Sequence, residues 1–486
     1  MKNIDYSSKY RTPGYMRVSD SIVPIFPFQK ELTASMSTEF SVNGIVFDPE
    51  ESEHWKKKTE FLRSMPEIRI VPEFIQLKGE NIKKELANLT QLTLEITDAC
   101  NLRCRYCGYG ELYDNYDERK DQYIDVKAIE RLLDYLVDLW NSSLNESHGK
   151  GIFISFYGGE PLLNMDFIKH TVTYIEQKKL LHNHIIYSMT TNAVLLRNHI
   201  DYLSSHHFHL LISLDGNKEN DSYRVFPNGK SSFDLIKSNL DYVQEHYPEY
   251  FRNYVNFNSV LHNRNSVSSI YHYIKTTYGK VPAIAELNNN GIRKDKIEEF
   301  YKTYQNVDES LYQAEDYDRI KKDMFSKLGE VMDVSLFILK YSGNVFRRYS
   351  DFFTTEKVKR TPTGTCMPFS KKMFVTVNGK ILTCEKIGQT YGVGHVSDQS
   401  IEVDFDTIAE KYNAYYERIQ KQCKQCYFLD SCIQCIYNLK NLDSKPICEG
   451  FMNQSAFRKR LNKIMYYLGE NEEIREKIVN HLSIKF

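Results

Sequence analysis

The stretch QLTLEITDACNLRCRYCGYG, residues 91–110, joins a strand pattern to a group of thiols. QLTLEI alternates apolar and polar residues as a β-strand does, and Cys100, Cys104 and Cys107 follow directly. Three thiolates at this spacing can hold three corners of an iron–sulfur cluster, leaving one iron open to a small molecule. A zinc site and unrelated buried thiols are the alternatives, although zinc usually takes a fourth Cys or His nearby.

Strand patterns alternate with helix patterns from residue 91 to residue 287. The strand patterns are 91–96, 152–157, 185–191, 209–216, 255–261 and 281–287. The helix patterns are 126–140, 165–179, 195–205, 232–246 and 267–278. Several strands are apolar on both faces, which predicts a parallel sheet built from right-handed βα units. The expected fold class is therefore α/β, as an open sheet or a partial (β/α)6 barrel, with the active site at the carboxyl ends of the strands.

The flanking segments have different patterns. Residues 1–88 read as an α+β module with a hairpin around Asn43-Gly44, a helix over 51–64 and a strand over 68–72. The predicted domains are this module (1–88), the barrel (89–297), a helical bridge (298–360), a loop-rich cysteine domain (361–450) and a helical tail (451–486).

Composition excludes some classes of function. Sixty-three Lys and Arg balance 64 Asp and Glu, so no charge excess favours nucleic acid or an anionic membrane. The first residues carry no secretory signal pattern, and runs such as HLLISL (209–214) are too short to span a membrane. We expect a cytoplasmic protein, where clustered thiols more often bind metal than form disulfides.

CxxxCxxC with an aromatic residue before the third cysteine, here Tyr106, resembles the radical S-adenosylmethionine (SAM) enzymes. The resemblance spans about residues 90–290 and implies the partial (β/α)6 barrel, a four-iron cluster on the three cysteines and SAM at the open iron. GGEP, Gly158, Gly159, Glu160 and Pro161, resembles the element that receives the methionyl amino group.

The same resemblance implies further SAM contacts. SLDG and DSYR place Ser213, Asp215 and Arg224 near the ribose and the carboxylate, since an Arg fork suits a carboxylate. TTN, ending at Asn192, resembles the third-strand TNG, but Ala193 stands where the family has glycine. Val260 and Leu261 would flank the adenine or have an ordinary core role.

Seven further cysteines lie between residues 366 and 448. Paired zinc sites and a disulfide framework are the other interpretations, but seven thiols divide poorly into four-ligand zinc sites. The order resembles the SPASM extension, which carries two auxiliary clusters. That resemblance implies a first auxiliary cluster on Cys366, Cys384 and Cys435, and a second on Cys423, Cys426, Cys432 and Cys448. Two residues separate Cys432 from Cys435, where the family usually has three.

SPASM enzymes act mostly on peptides and proteins, and so the resemblance implies three four-iron clusters, SAM, a precursor-peptide substrate and a low-potential donor such as flavodoxin or ferredoxin. The expected function is a peptide maturase that installs a thioether, carbon–carbon or carbon–oxygen cross-link. Residues 1–88 would grip a leader peptide or cap the barrel. The alternatives are an anaerobic sulfatase-maturating enzyme and a non-catalytic zinc-binding adaptor. No catalytic base is assigned, although Glu385 and Glu449 each adjoin a cysteine.

Overall fold

The computed structural model describes most of the chain between residues 74 and 457. The described residues are 14–18, 21–25, 41–42, 45–46, 74–324, 331–336, 360–457, 459–460 and 463–464. The chain divides into two compact units. The first comprises Leu77–Met324 and Cys366–Tyr412, and the second the described parts of Met1–Gln76, Phe325–Thr365 and Asn413–Phe486.

Two short antiparallel strand pairs lie in the amino-terminal segment. β1 (Gly14–Val18) pairs with β2 (Ser21–Ile25), and β3 (Ser41–Val42) pairs with β4 (Ile45–Val46). The second pair matches the predicted hairpin. The helix predicted over 51–64 and the strand predicted over 68–72 lie outside the described residues.

Six parallel strands form the centre of the first unit. They are β5 (Gln91–Thr97), β6 (Gly151–Gly158), β7 (His184–Thr191), β8 (His209–Ser213), β9 (Val255–Val260) and β10 (Ala283–Ala285). Each strand pairs in parallel with the next along the chain. This order confirms the α/β class and the six predicted strands, and it brings the loops that follow them to one edge of the sheet.

Helices occupy the crossovers. They are α1 (Gly79–Ala87), α2 (Val126–Trp140), α3 (Met165–Glu176), α4 (Leu196–Ser205), α5 (Phe233–His246), α6 (Pro248–Tyr254) and α7 (Val267–Tyr278). α2 has the bounds that its apolar period predicts, because the Asp125 side chain accepts from the Ala128 N–H and caps its first turn. Three short helices follow the barrel: α8 (Ile297–Thr303), α9 (Val307–Tyr312) and α10 (Tyr317–Asp323).

The two faces of the central sheet differ in polarity. One face carries buried Leu92, Leu94 and Ile96 from β5, with apolar neighbours from β6 to β9. The inner face is polar: Gln91 Nε2 donates to Ser155 Oγ at 2.7 Å, and Ser155 Oγ lies 2.6 Å from Ser188 Oγ. Strands that are apolar on both faces were expected, and the structure gives a polar lining to the inner face.

The sheet continues past β5 with strands from the cysteine-rich segment. β11 (Lys372–Val375) pairs in parallel with β5, and β12 (Lys380–Leu382), β13 (Gly394–Val396) and β14 (Ile401–Glu402) follow as antiparallel neighbours. The ten-stranded sheet therefore includes residues predicted to lie in a separate loop-rich domain.

A long helix, α11 (Phe405–Gln425), interrupts the same segment. Its buried residues Ile408, Tyr412, Tyr416, Ile419 and Cys423 recur every three or four positions, which is the helical period. Residues 361–450 are therefore less loop-rich than their cysteine and turn content predicts.

Candidate active site

The three cysteines of the first motif lie in the loop that follows β5. The loop is held by backbone hydrogen bonds to the segment after β8: Arg103 N–H donates to the Val225 carbonyl at 2.7 Å, and Arg105 N–H to the Tyr223 carbonyl at 3.2 Å. Two turns close the loop on itself, Cys107 N–H to the Cys104 carbonyl and Gly110 N–H to the Cys107 carbonyl. The thiols therefore sit at the carboxyl edge of the sheet, as predicted.

Each thiol of the loop has a side-chain N–H donor. Asn192 Nδ2 lies 4.0 Å from Cys100 Sγ, Arg224 Nη1 lies 4.0 Å from Cys104 Sγ, and Arg119 Nη2 lies 3.7 Å from Cys107 Sγ. Donors of this kind stabilise the negative charge of thiolates and tune the potential of an iron–sulfur cluster.

Burial raises the pKa of the Cys104 thiol to about 12, and burial likewise raises that of Cys100. A thiol in such a place stays protonated unless a cation compensates the thiolate, which metal coordination does. The donor set of three thiols, each with an N–H neighbour, fits an iron–sulfur cluster. Cys100, Cys104 and Cys107 would hold that cluster.

Gly158 and Gly159 let the chain pass close to the end of β5. Gly158 has a φ of +137°, and a Cβ there would overlap the Thr97 carbonyl oxygen. A Cβ at Gly159 would overlap the Ala99 carbonyl. Gly159 N–H and Glu160 N–H donate to those two carbonyls at 2.8 and 2.9 Å. The GGEP turn is therefore pinned against the cluster loop, where only glycine fits.

We expect Gly158→Ala to destabilise the first unit by about 1–3 kcal/mol from the backbone conformation alone, and the overlap with Thr97 adds to this. Gly229 is the matched control, because it also has a positive φ of 78° but has open space where a Cβ would stand. The free energy of unfolding in urea of each alanine variant checks this. Equal losses at the two positions would contradict the close approach.

Glu160 is almost fully buried and links two loops of the edge. Its Oε1 accepts from Thr191 Oγ1 at 2.6 Å and from Leu162 N–H at 3.1 Å, and its Oε2 accepts from Asn192 N–H at 2.8 Å. Burial raises the pKa of this carboxyl to about 7. Its oxygens thus already hold the TTN turn, and Asn192 in turn donates to Asn101 Oδ1 at 2.7 Å.

A second buried carboxylate, Asp215, gathers the groups after β8 and β9. Arg224 donates to it through Nε and Nη2, each at 3.2 Å, and Val260 N–H donates to Oδ1 at 2.9 Å. The Tyr106 hydroxyl donates to Oδ2. Burial alone would raise the pKa of Asp215, but the Arg224 guanidinium lowers it below its usual value. Arg224 Nε and Nη2, two of the donors predicted to bind the SAM carboxylate, are therefore engaged by Asp215.

The remaining predicted SAM contacts lie at the ends of β6, β8 and β9. Ser213 ends β8, and Pro161 opens the short 3-10 turn after the glycines. Val260 is partly buried and packs against the hydrophobic side chains around Tyr106. Leu261 is fully buried, and its N–H donates to the Ala285 carbonyl. Asp221 was not assigned from the sequence: its Oδ1 accepts from Asp215 N–H, and its buried Oδ2 has no partner among the described residues.

A model of the Radical SAM superfamily matches residues 94–275 of the chain. These residues form a radical SAM domain. The match covers the cluster loop, the glycine turn and the Asp215 network, and it favours an enzyme over the zinc-binding adaptor.

Relatives of the chain include a cysteine-type anaerobic sulfatase-maturating enzyme of Clostridium novyi (strain NT). It is 22% identical over 399 residues, which cover 78% of this chain and 97% of the relative. The radical SAM cyclopropyl synthase TigE of Paramaledivibacter caminithermalis is 28% identical over 187 residues, covering 38% of this chain and 36% of that protein. The fold is similar to the solved structure of native anSMEcpe with bound AdoMet, at 16% identity and a TM-score of 0.52, over 81% of this chain and 99% of that one.

The radical SAM cluster loop shares its surroundings with Cys384 and Glu385. The Tyr116 hydroxyl interacts electrostatically with Cys107, Cys384 and Glu385, and the Tyr157 hydroxyl on the inner face of β6 interacts with Cys107 and Glu385. Glu385 Oε1 accepts from Lys372 Nζ at 2.6 Å, and its side chain is only 16% exposed. Burial alone would raise the pKa of Glu385, but Lys372 lowers it. Within this unit, a thiol and a carboxylate therefore face the same polar surface as the cluster loop.

In the second unit, the four cysteines of the predicted second auxiliary cluster lie close enough to interact electrostatically, and their role as ligands stays a prediction. The Cys423 thiol interacts electrostatically with those of Cys426, Cys432 and Cys448. Backbone N–H groups point at all four sulfurs. They come from Thr363 to Cys423, Met452 to Cys426, Gly364 and Gln434 to Cys432, and Gly450 and Phe451 to Cys448. Such a nest of amides suits an anionic thiolate cluster.

The proposed ligands of the first auxiliary cluster divide between the units. Cys366, which is exposed, and Cys384 belong to the first unit, and Cys435 belongs to the second. This set stays a prediction. Glu449 pairs with Lys440 at 2.5 Å, and both side chains are about two-thirds exposed. That position suits a surface ion pair better than a catalytic base.

Two residues beside the radical SAM loop escaped sequence reasoning, Tyr109 and Arg119. The Arg119 guanidinium lies 4.3 Å from the centre of the Tyr109 ring and reaches Cys107. The available signal was the repeat of Cys-x-Tyr in CRYCGY, residues 104–109. Among the described residues, no helix has the length and apolarity needed to cross a bilayer.

Proposed function

We propose that this radical SAM enzyme is a peptide maturase that installs a thioether, carbon–carbon or carbon–oxygen cross-link in a ribosomally made precursor peptide. The observation that carries the proposal is that Cys107, Cys384 and Glu385 all lie close enough to the Tyr116 hydroxyl to interact with it electrostatically. Gln91, Ser155 and Ser188 supply donors and acceptors along the same inner face, which suits the polar backbone of a peptide.

A cluster held by Cys100, Cys104 and Cys107, together with SAM, would supply the radical chemistry that abstracts a hydrogen atom from the substrate. Forming a cross-link removes a second hydrogen, which leaves as a proton and an electron, and an auxiliary cluster would take up the electron. Glu385 is the carboxylate on this face that takes the proton, with Lys372 holding its other oxygen in place.

The finer assignments follow from the same proposal. Cys423, Cys426, Cys432 and Cys448 would hold one auxiliary four-iron cluster, and Cys366, Cys384 and Cys435 another, for three clusters in all. SAM would bind between the glycine turn and the Asp215 network. Flavodoxin or ferredoxin would deliver the electron, and the enzyme would work in the cytoplasm.

The amino-terminal module would recognise a leader peptide. The chain has residues beyond those matched by the sulfatase-maturating relative, which covers 78% of it. β1 and β2 pair only with each other among the described strands. An extended peptide would add a strand to the edge of this pair.

Formation of formylglycine from Cys or Ser is the second candidate. It is favoured by the sulfatase-maturating relative, which this chain matches over 97% of its length. Both reactions remove a hydrogen atom, and then a proton and an electron, from the substrate, so the site geometry serves either.

Mass spectrometry of treated peptides separates the two. The full-length, anaerobically reconstituted enzyme would be incubated with SAM, dithionite and peptides encoded in short reading frames beside its gene, or with a sulfatase-derived Cys or Ser peptide. Loss of two hydrogen atoms without a new aldehyde supports cross-linking. An aldehyde that reacts with a hydrazide supports formylglycine, and no change in any peptide while 5′-deoxyadenosine accumulates would contradict both substrates.

A further inference from the structure

The sequence CRYCGY, residues 104–109, contains two copies of a Cys-x-Tyr repeat, in which a tyrosine follows a cysteine by two positions. The structure gives both Cys-x-Tyr repeats the same kinds of neighbour. Each tyrosine hydroxyl interacts with a buried carboxylate, and the two carboxylates come from different parts of the sheet. Each tyrosine ring lies near an arginine guanidinium, and that arginine contacts the cysteine of the same repeat.

In the first Cys-x-Tyr repeat, the Tyr106 hydroxyl donates to Asp215, which follows β8. The Arg224 guanidinium lies 5.5 Å from the centre of the Tyr106 ring, is held by Asp215 through two nitrogens, and turns Nη1 towards Cys104 Sγ at 4.0 Å. The cation is buried and its direction is fixed by the carboxylate and the ring.

In the second Cys-x-Tyr repeat, the Tyr109 hydroxyl interacts with Glu95, a buried carboxylate on the inner face of β5. Glu95 is fixed in turn, because its Oε2 accepts from Val377 N–H at 3.0 Å. The Arg119 guanidinium lies 4.3 Å from the centre of the Tyr109 ring and directs Nη2 at Cys107 Sγ at 3.7 Å. The Nε of Arg119 is buried without a partner among the described residues, so the side chain is held mainly by the ring, the sulfur and the nearby carboxylate.

The third thiol differs. Cys100 receives only a neutral amide, from Asn192 at 4.0 Å, in addition to the Leu102 N–H at 3.4 Å. Two of the three sulfurs therefore have an arginine N–H within contact distance, whereas Cys100 interacts with Arg119 only electrostatically. A positive charge and an N–H donor at a sulfur both favour the reduced, more negative state of an iron–sulfur cluster.

We propose that Arg119 and Arg224 are positioning residues that set the reduction potential of the radical SAM cluster, each aimed at one thiolate by a carboxylate–tyrosine pair. The two pairs are Glu95 with Tyr109 and Asp215 with Tyr106. This rests on the assignment of the cluster to Cys100, Cys104 and Cys107. Arg224 also borders the predicted SAM site, so Arg119 gives the cleaner test.

The test is a redox titration of the full-length, reconstituted enzyme, followed by electron paramagnetic resonance without SAM. The relevant cluster is the one whose reduced signal changes when SAM is added afterwards, because only a cluster with an open iron responds. Iron and sulfide are counted in every variant. Loss of iron in a Cys100, Cys104 and Cys107 triple alanine variant, with loss of the SAM-responsive signal, establishes the cluster assignment separately from its tuning.

Arg119→Gln is expected to move the midpoint to more negative values by at least about 59 mV, which is a tenfold lower ratio of reduced to oxidised cluster at fixed solution potential. Arg224→Gln is expected to move it in the same direction. Arg105→Gln is the matched control: it removes a cation from the same loop, but Arg105 pairs with Glu299 at 3.0 Å and is half exposed. Its midpoint should stay at the wild-type value.

An unchanged midpoint in Arg119→Gln with a full iron count would overturn the proposal, and so would an equal shift in Arg105→Gln. Should the glutamine variants fail to hold the cluster, Arg119→Lys and Arg224→Lys decide. Lysine keeps the charge but loses the planar fork that reaches ring and sulfur together, so a smaller negative shift is expected. Wild-type midpoints in both lysine variants would also overturn it.

Discussion

Cys104→Ala is expected to abolish formation of 5′-deoxyadenosine and to lower the iron content by about four atoms per chain. The thiol is partly buried and has Arg224 Nη1 beside it, so an alanine removes a ligand and leaves a buried cation without its anionic neighbour. The measurement is anaerobic incubation with SAM and dithionite, with chromatography of the nucleoside and an iron assay on the same sample.

Cys432→Ala is the control for that experiment. Cys432 belongs to the second unit, where its sulfur lies among the other three thiols of that set. This variant should also lose about four irons, yet it should still cleave SAM, since the three thiols of the radical SAM loop are intact. Nucleoside formation by Cys104→Ala at the wild-type rate would refute the assignment of the loop.

Glu385→Gln is expected to reduce modification of the peptide by about 10²–10⁴-fold, the usual contribution of a positioned acid or base. Glutamine keeps the shape of the side chain but cannot accept the proton, and it weakens the contact to Lys372 Nζ. Cleavage of SAM should continue, because Cys100, Cys104 and Cys107 are unchanged. The ratio of modified peptide to 5′-deoxyadenosine is therefore the informative quantity.

Glu449→Gln provides the comparison, since Glu449 is also a glutamate beside a cysteine but forms an exposed ion pair. Exposed pairs contribute little, so its product ratio should match that of the wild type. Equal ratios in both variants and the wild type would exclude Glu385 as the proton acceptor.

Local patterns predicted the central elements well. The apolar period of residues 126–140 predicts α2 at its observed bounds, and the six strand patterns correspond to β5 through β10. These elements depend on neighbours within a few positions, together with burial on one face, and both leave a periodic trace in a single sequence.

Pairings between distant segments left no such trace. The parallel contact of β11 with β5 joins residues about 280 positions apart, as in the hydrogen bond from Thr90 Oγ1 to the Lys371 carbonyl. The same applies to the site. The three cysteines are recognisable from their spacing, whereas the contacts of Arg119 with Cys107 and of Glu95 with Tyr109 depend on the fold. Motif residues could be predicted, and the residues that orient them could not.

The pairing of β11 with β5 also bears on how the chain is made. A ribosome releases β5 to β10 long before residues 372–375, and until then one side of β5 has no strand to bond. Unpaired strand edges invite pairing with other chains, and distant pairings form slowly. Nascent chains, and proteins truncated after β10, should therefore be prone to aggregate, and synthesis of the cysteine-rich segment ends that exposure.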